Sequence, residues 1–490
     1  HAAELLACFL IKCGAMHRFW SGKEFMTAIE GAHQIKAVVG GVDQDGNDAT
    51  NELSYMLLHV AGHVKLHEPA FYARWHQGCP REFMIKAAWS QREHGGGSPA
   101  FHNDEHTIPC LIDLGASIED ARDYHIEGCS HPFPHGAAYL RAHPQINGAK
   151  IFELVLYNGF DPRSKKQLGL KTGDPRTFTG IEDWIEAWKK QWEYLYGVLN
   201  TVSRVGKNSQ LECYDLPFAS AMSVDCIKNG RTMAKGGCRY PQFLQNPGIR
   251  VYADVADSLT AINKLVYESK KLTIDEIMEA CASDFEGEKG ERIRDILRAA
   301  PKYGNDNGEP DGMYRRLQDW VVKLVRSSKG YLGFNRHYQG LGAALHFRHG
   351  LYTGALPNGH KAGHPLADGA ISPVSGCDTS GLTATLASAG KLLDWNLVNS
   401  AIFNQKMPKS LLTTREKLER FVDLIETFFE HYNPYQIQWN IQDAAVYKLA
   451  KENPQDYKDL IVRVGGYSAY FVELAPILQD EIITRTEQGL

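Results

Sequence analysis

The chain has 490 residues, 43% of them apolar and 23% charged, the balance of a globular protein with a large core. A formal net charge of −5 leaves no basic footprint for nucleic acid, and no apolar run is long enough to span a membrane. The ten cysteines (8, 13, 79, 110, 129, 213, 226, 238, 281 and 377) form no CxxC pair, which argues against a disulfide scaffold or zinc ribbon and for a reducing cytoplasm.

The first residue is His1 rather than Met, so the chain is read as a fragment of a longer one. Its opening stretch, from Ala2 to Ile11 with Glu4 inside it and Lys12 after it, reads as a buried helix rather than an export signal. Residues 1 to about 95 read as helices broken by one polar turn, Gly40-Gly41-Val42-Asp43 through Asp48-Ala49-Thr50-Asn51-Glu52. Asp48 or Thr50 is expected to cap the helix that follows. A calcium loop is the weaker reading, because the bidentate Glu it needs is misplaced.

Residues 95–150 are rich in Gly, His and Pro. Gly95-Gly96-Gly97-Ser98-Pro99 opens the segment, Asn103-Asp104-Glu105 leads into a short helix ending at Gly115, and Ser117 caps another turn. In Glu127-Gly128-Cys129-Ser130-His131-Pro132-Phe133-Pro134, a glycine and two prolines place Cys129 on a loop without regular structure. Four histidines crowd it: His125, His131, His135 and His143. A zinc site of Cys129, His131 and His135 is the rival reading, although the spacing matches no metal motif.

From 147 to 205 the pattern is helical, with Thr179 and Glu182 as a capping box and Trp184, Trp188 and Trp192 as a core stripe. Asp257-Ser258-Leu259 starts a helix, and the charged stretch 283–315 reads as a solvated connection. Thr413 and Glu416 cap a helix whose apolar face runs from Leu418 to Phe429. Short strands are expected near 437–442 and 461–471, and no internal repeat is visible. Helices with intervening short strands indicate an α/β fold.

Near the C-terminus stands Arg463-Val464-Gly465-Gly466-Tyr467-Ser468-Ala469-Tyr470-Phe471. Two glycines in an otherwise β-prone run add backbone entropy and pack nothing, so they mark a bend, a bulge or a close approach. The string Arg463-Val464-x-Gly466-Tyr467, with Thr486-Glu487 beyond it, resembles the C-terminal signature of the glycyl radical enzymes. So does Gly40-Gly41-x-Asp43 with Asp48-Ala49-Thr50-Asn51-Glu52-Leu53-Ser54. The run from Asn103-Asp104-Glu105 to Gly128-Cys129, the turn Gly236-Gly237-Cys238-Arg239-Tyr240, and Gly354 to Gly369 are also similar to that family.

The resemblance implies a fold, a chemistry and partners. The fold is a ten-stranded α/β barrel of two half-barrels with a cysteine loop and a glycine loop inside, here a partial barrel lacking much of the first half. Residues 1–350 would be barrel including the cysteine loop, and 351–490 the glycyl radical domain. Gly466 would carry a stable Cα radical, installed anaerobically by a separate radical-SAM activating enzyme. Cys129 would become the thiyl that abstracts hydrogen from substrate, with no cofactor or metal bound. Gly128 before Cys129, in place of a second cysteine, excludes pyruvate formate-lyase itself. His131 stands where the diol and choline-type lyases have a glutamate base, and imidazole can serve as base or hold a carboxylate. Arg239, Arg348 and His349 are candidate anion clamps, while Gln438 and Asn440 resemble cavity-lining residues of the family. The reading is a cytoplasmic, oxygen-sensitive, homo-oligomeric radical lyase or decarboxylase acting on a small carboxylate-bearing molecule. A radical dehydratase is the alternative, and an inactive partner or assembly subunit the non-enzymatic one.

Overall fold

A computed structural model of the protein describes residues 1–15, 35–137, 145–213, 215–244, 248–330, 333–334, 336–340, 342 and 344–487. In chain order its strands are β1 (Lys36–Gly40), β2 (Ala70–Trp75), β3 (Ala100–Asn103), β4 (His125–Glu127), β5 (His131–Phe133), β6 (Gln145–Asn147), β7 (Phe160–Asp161), β8 (Lys166–Gln167), β9 (Gly248–Arg250), β10 (Tyr338–Gly340), β11 (Val398–Ala401), β12 (Asn404–Met407), β13 (Gln436–Ile441), β14 (Ile461–Arg463) and β15 (Ser468–Tyr470). Two sheets organise them, one of five strands in the order β1-β2-β3-β13-β12 and one of four in the order β11-β10-β9-β6. Every neighbouring pair is parallel except β3 and β13. Helices fill the connections, as parallel pairing requires. The two sheets together hold nine strands among the described residues.

Local sequence explains the central strands. β2 is buried at all six positions, as a strand covered on both faces should be, and its one charge, Arg74, is matched by a bidentate pair with Asp104 (Nε 2.9 Å, Nη2 2.7 Å). β13 alternates. Ile437, Trp439 and Ile441 take one face, where Trp439 meets Phe421 of the helix Arg415–Tyr432 with ring centroids 5.0 Å apart. Gln436, Gln438 and Asn440 take the other, since side chains along a strand alternate. The tryptophan stripe is core, as expected: Trp184, Trp188 and Trp192 have no exposed surface, and Trp188 also meets Trp320 at 5.6 Å.

Several expectations need correction. The first 95 residues hold β1 and β2 as well as helices, because short apolar runs do not reveal their period. The helix Glu52–Val64 is capped by Asn51, whose side chain accepts from Leu53 and Ser54, not by Asp48 or Thr50. Asp43 caps its own turn through the amides of Asp45 and Asn47. The opening helix Ala2–Gly14 is not buried: Leu10 is, but Leu5, Phe9 and Ile11 are 51–62% exposed. Thr179 is answered by Asp183 rather than Glu182, and Thr414 rather than Thr413 caps Arg415–Tyr432. Asp257 lies inside the helix Ala253–Ile262 instead of starting it. The charged segment 283–315 is no loose connection but holds the helix Gly287–Arg298 and the start of Gly308–Arg326. Ile293, Leu297, Tyr314 and Leu317 give these helices a buried face, and the charges occupy the other.

A second apolar cluster gathers Phe347, Tyr447, Val462, Val464, Tyr467, Phe471, Leu478 and Ile482 around the C-terminal hairpin. No helix among the described residues is long and apolar enough to cross a membrane.

Candidate active site

Two hairpins meet between the sheets. The first joins β14 to β15, with Ile461 opposite Tyr470 and Arg463 opposite Ser468. Val464 N–H donates to Tyr467 O at 3.0 Å, so Gly465 and Gly466 are the central residues of a tight turn. Gly466 has φ +82°, a conformation natural to glycine at that turn position. The second hairpin pairs β4 with β5, placing Glu127 opposite His131, and its tip is Gly128-Cys129-Ser130. Cys129 thus sits in the turn at a hairpin tip, outside the strands, as its flanking glycine and prolines suggested. Gly128 (φ +57°) and Ser130 (φ +79°) both take left-handed backbone there.

The tips touch. A Cβ built on Gly466 would lie 2.5 Å from Cys129 Cβ and 3.0 Å from both its Cα and its carbonyl oxygen. No side chain fits at Gly466, and Cys129 is itself only 3% exposed. The glycine pair therefore serves a turn and a close approach at once.

A polar lattice fixes both tips. Gln438 bridges them, accepting from Arg463 Nε of the glycine hairpin and donating from Nε2 to Ser130 Oγ, beside Cys129, at 3.2 Å. Tyr72 on β2 accepts from Ser130 Oγ at 3.3 Å and from Arg463 Nη2 at 3.2 Å, while Tyr435 OH donates to the Ser130 carbonyl. Asn440 behaves as a strand partner for Arg463, accepting from its N–H at 2.7 Å and donating to its C=O at 2.9 Å. Arg485, ion-paired with Asp368, donates to the carbonyls of Arg463 (2.7 Å) and Val464 (3.3 Å), and Asn404 Nδ2 donates to Val464 O at 3.2 Å. Ser468 Oγ donates to Gly96 O at 2.7 Å.

Charge is also concentrated here. Lys36 and Glu68, both buried, pair at 3.4 Å. Burial by itself would lower the Lys36 pKa, but Tyr72, Glu68 and Cys129 outweigh it and hold the ammonium above its ordinary value. His102 is pushed well below its usual value by burial and by Arg463 and Arg74, so it is neutral.

The other sequence candidates are placed as follows. His131 is 2% exposed on β5, with Nδ1 against Ser400 Oγ of β11. Gln438 and Asn440 join the lattice just described. Arg239 pairs with Asp120 (2.9 Å) and Asp225 (3.0 Å), and its stem packs on Gly136 rather than on either tip. Arg348 and His349 lie on the helix Leu345–Leu351, where His349 Nδ1 meets Tyr252 OH at 2.7 Å. Burial, with Arg250 and Arg348 nearby, pushes the His349 pKa down to about 3, leaving it neutral at pH 7. Among the described residues the rival zinc set is not assembled: Cys129 and His131 are buried, whereas His135 is half exposed beside Asp123. His143 lies outside the described residues.

Sequence reasoning missed Tyr72, Ser130, Asp368, Asn404 and Arg485, and missed Arg463 as a side chain. One signal was available: Gly96 and Gly97 are glycines because Ile461 and the stem of Arg463 pack directly on them.

Asn440→Ala tests the lattice. It leaves the buried Arg463 N–H unanswered, while the carbonyl keeps Arg485. An orphaned buried donor costs about 1–3 kcal/mol, so amide exchange across 463–467 should quicken on the order of 5- to 150-fold. Unchanged protection measured by hydrogen–deuterium exchange would show that Asn440 does not hold the turn.

Comparison with known proteins places these features. Residues 1–347 match the family model described as Pyruvate formate lyase-like, and residues 367–472 match the one described as Glycine radical. The chain is 36% identical over 450 residues to a trans-4-hydroxy-L-proline dehydratase of Clostridioides difficile, covering 92% of this chain and 56% of that protein. It is 33% identical over 501 residues to an isethionate sulfite-lyase of Desulfovibrio desulfuricans, covering 100% of this chain and 59% of that protein. Among solved structures, the glycerol-bound B12-independent glycerol dehydratase from Clostridium butyricum superposes with a TM-score of 0.91 at 36% identity, over 99% of this chain and 61% of that one. The chain thus spans somewhat over half the length of the relatives it matches.

Proposed function

The chain belongs to the glycyl radical enzymes of the pyruvate formate lyase-like family, and from that premise we propose that Gly466 and Cys129 are its radical pair. A radical-SAM activating enzyme removes one hydrogen atom from Gly466 Cα. The resulting radical takes the hydrogen of the Cys129 S–H, leaving a thiyl, and the thiyl takes a hydrogen atom from substrate. A C–C or C–heteroatom bond then breaks in the substrate radical, and Cys129 returns the hydrogen. The single observation that supports this reading is the contact between the two tips, at which a Cβ on Gly466 would stand 2.5 Å from Cys129 Cβ. Burial serves the same end, because a radical shielded from water and oxygen has fewer side reactions.

The substrate is a small, carboxylate-bearing molecule, and the reaction is a lyase or decarboxylase cleavage. Dehydration is the second reading, favoured by the dehydratase names of two of the relatives described above. In either case His131, two residues from Cys129, is the proton-handling group. His131→Gln should lower turnover about 10²- to 10⁴-fold, the range a general base contributes, with the glycyl radical yield unchanged. Turnover equal to the parent would remove His131 from the mechanism. The enzyme works in the cytoplasm as a homo-oligomer. Anaerobic electron paramagnetic resonance after activation tests the whole reading: a glycyl doublet supports it, and silence under conditions that activate a relative turns it toward an inactive partner.

A further inference from the structure

Away from the two hairpins, a cavity of about 350 Å³ opens between the helix Gly287–Arg298, the turn 358–365 and the last helix, Pro476–Glu487. Three basic side chains line it: Arg294, Arg298 and Lys361. Arg294 and Arg298 stand one turn apart on the same helix face, a like-charge spacing that costs a helix a few tenths of a kcal/mol. Gly359, at φ +92°, allows this arrangement: a Cβ there would lie 2.5 Å from Arg298 Cγ and 3.6 Å from Arg294 Cγ. Arg294 Nε is spent on Gly359 O at 2.9 Å, and none of the three cations enters an ion pair among the described residues. The acids close by are engaged, although Glu481 Oε2 is left without a hydrogen-bond partner. Asp480 pairs with Lys451, Glu481 faces Arg485 and accepts from Ser375 Oγ, and Asp284 accepts from the Ala362 amide.

A second observation is independent of these charges. His360 lines the same cavity with its side chain 5% exposed, and its Nδ1 edge is turned to Asp254 at 3.9 Å. Its opposite nitrogen, Nε2, is buried without a hydrogen-bond partner. A buried imidazole nitrogen with no partner is costly unless something enters to meet it.

We infer that this cavity binds a phosphate-class dianion, either inorganic phosphate or the terminal phosphate of a small metabolite, held by Arg294, Arg298 and Lys361 with His360 at its floor. Two guanidinium groups on one face suit a tetrahedral oxyanion better than a single ammonium does. The position gives binding a consequence. The last helix supplies Ile477, Asp480 and Thr484 to the cavity wall, and its Arg485 holds the carbonyls of Arg463 and Val464. Filling the cavity restrains this helix wall, and with it the helix whose Arg485 holds the glycine turn.

The test is calorimetric titration of the protein, in phosphate-free chloride buffer, with inorganic phosphate and separately with glycerol 3-phosphate. One saturable site is expected, weakened at least tenfold in Arg298→Ala/Lys361→Ala, with slowed amide exchange across 476–487 when it is filled. Arg298 is exposed, so its removal should leave the melting temperature unchanged, and Lys361→Gln alone offers a milder control. Tighter phosphate identifies the free ion as the ligand, and tighter monoester a metabolite. No saturable binding of either, or binding undiminished in the double variant, overturns the assignment, and unaltered exchange in 476–487 overturns the restraint.

Discussion

Gly466→Ala is expected to give no glycyl doublet after anaerobic treatment with an activating enzyme that produces one in the parent protein, and no turnover. Two physical effects act together. A methyl group at Cα would lie 2.5 Å from Cys129 Cβ, closer than real carbon contacts come, so the two tips would have to part. The residue's φ of +82° adds about 1–2 kcal/mol of left-handed strain for any L side chain. The measurement is the EPR spectrum, with circular dichroism to establish that the variant is folded. A doublet of parental intensity in a folded Gly466→Ala protein would place the radical elsewhere and remove the basis of the proposed function.

Cys129→Ser should give the complementary result: the doublet persists while turnover falls by on the order of 10⁴-fold or more, the scale at which loss of a reacting side chain acts. Serine is close in size and fits the 3% exposed position at the hairpin tip, so the fold and the glycine turn are retained. Its O–H bond is far stronger than S–H, so the glycyl radical cannot draw a hydrogen atom from it. The pair of variants separates the steps, Gly466→Ala blocking formation of the radical and Cys129→Ser its transfer. Retained turnover in Cys129→Ser, measured against the same substrate as the parent, would assign the transfer to another residue.

The sequence already carried the parts of this site that depend on covalent identity. Gly465-Gly466 inside a β-prone run required a bend or a close approach, and Cys129 between a glycine and two prolines required a loop; the glycines form a tight turn against Cys129, and Cys129 lies in the turn of its own hairpin. Periodicity did the same for the core, where Trp184, Trp188 and Trp192 are buried and the stripe from Leu418 to Phe429 packs on β13. It failed where local signals compete. A charged surface concealed the amphipathic helix Gly287–Arg298, and short apolar runs concealed β1 and β2 among helices.

Other features belong to the tertiary structure alone. Gln438 and Asn440 read as cavity-lining residues, yet their amides are spent on Arg463 and Ser130, because strand alternation turns them toward whatever hairpin lies inside the sheet. Tyr72, Asp368 and Arg485 lie more than a hundred residues apart in the chain and are ordinary in composition, so nothing local distinguishes them. They meet because every buried carbonyl and N–H of the glycine hairpin needs a partner, and only the folded chain decides which side chains are within reach to supply it.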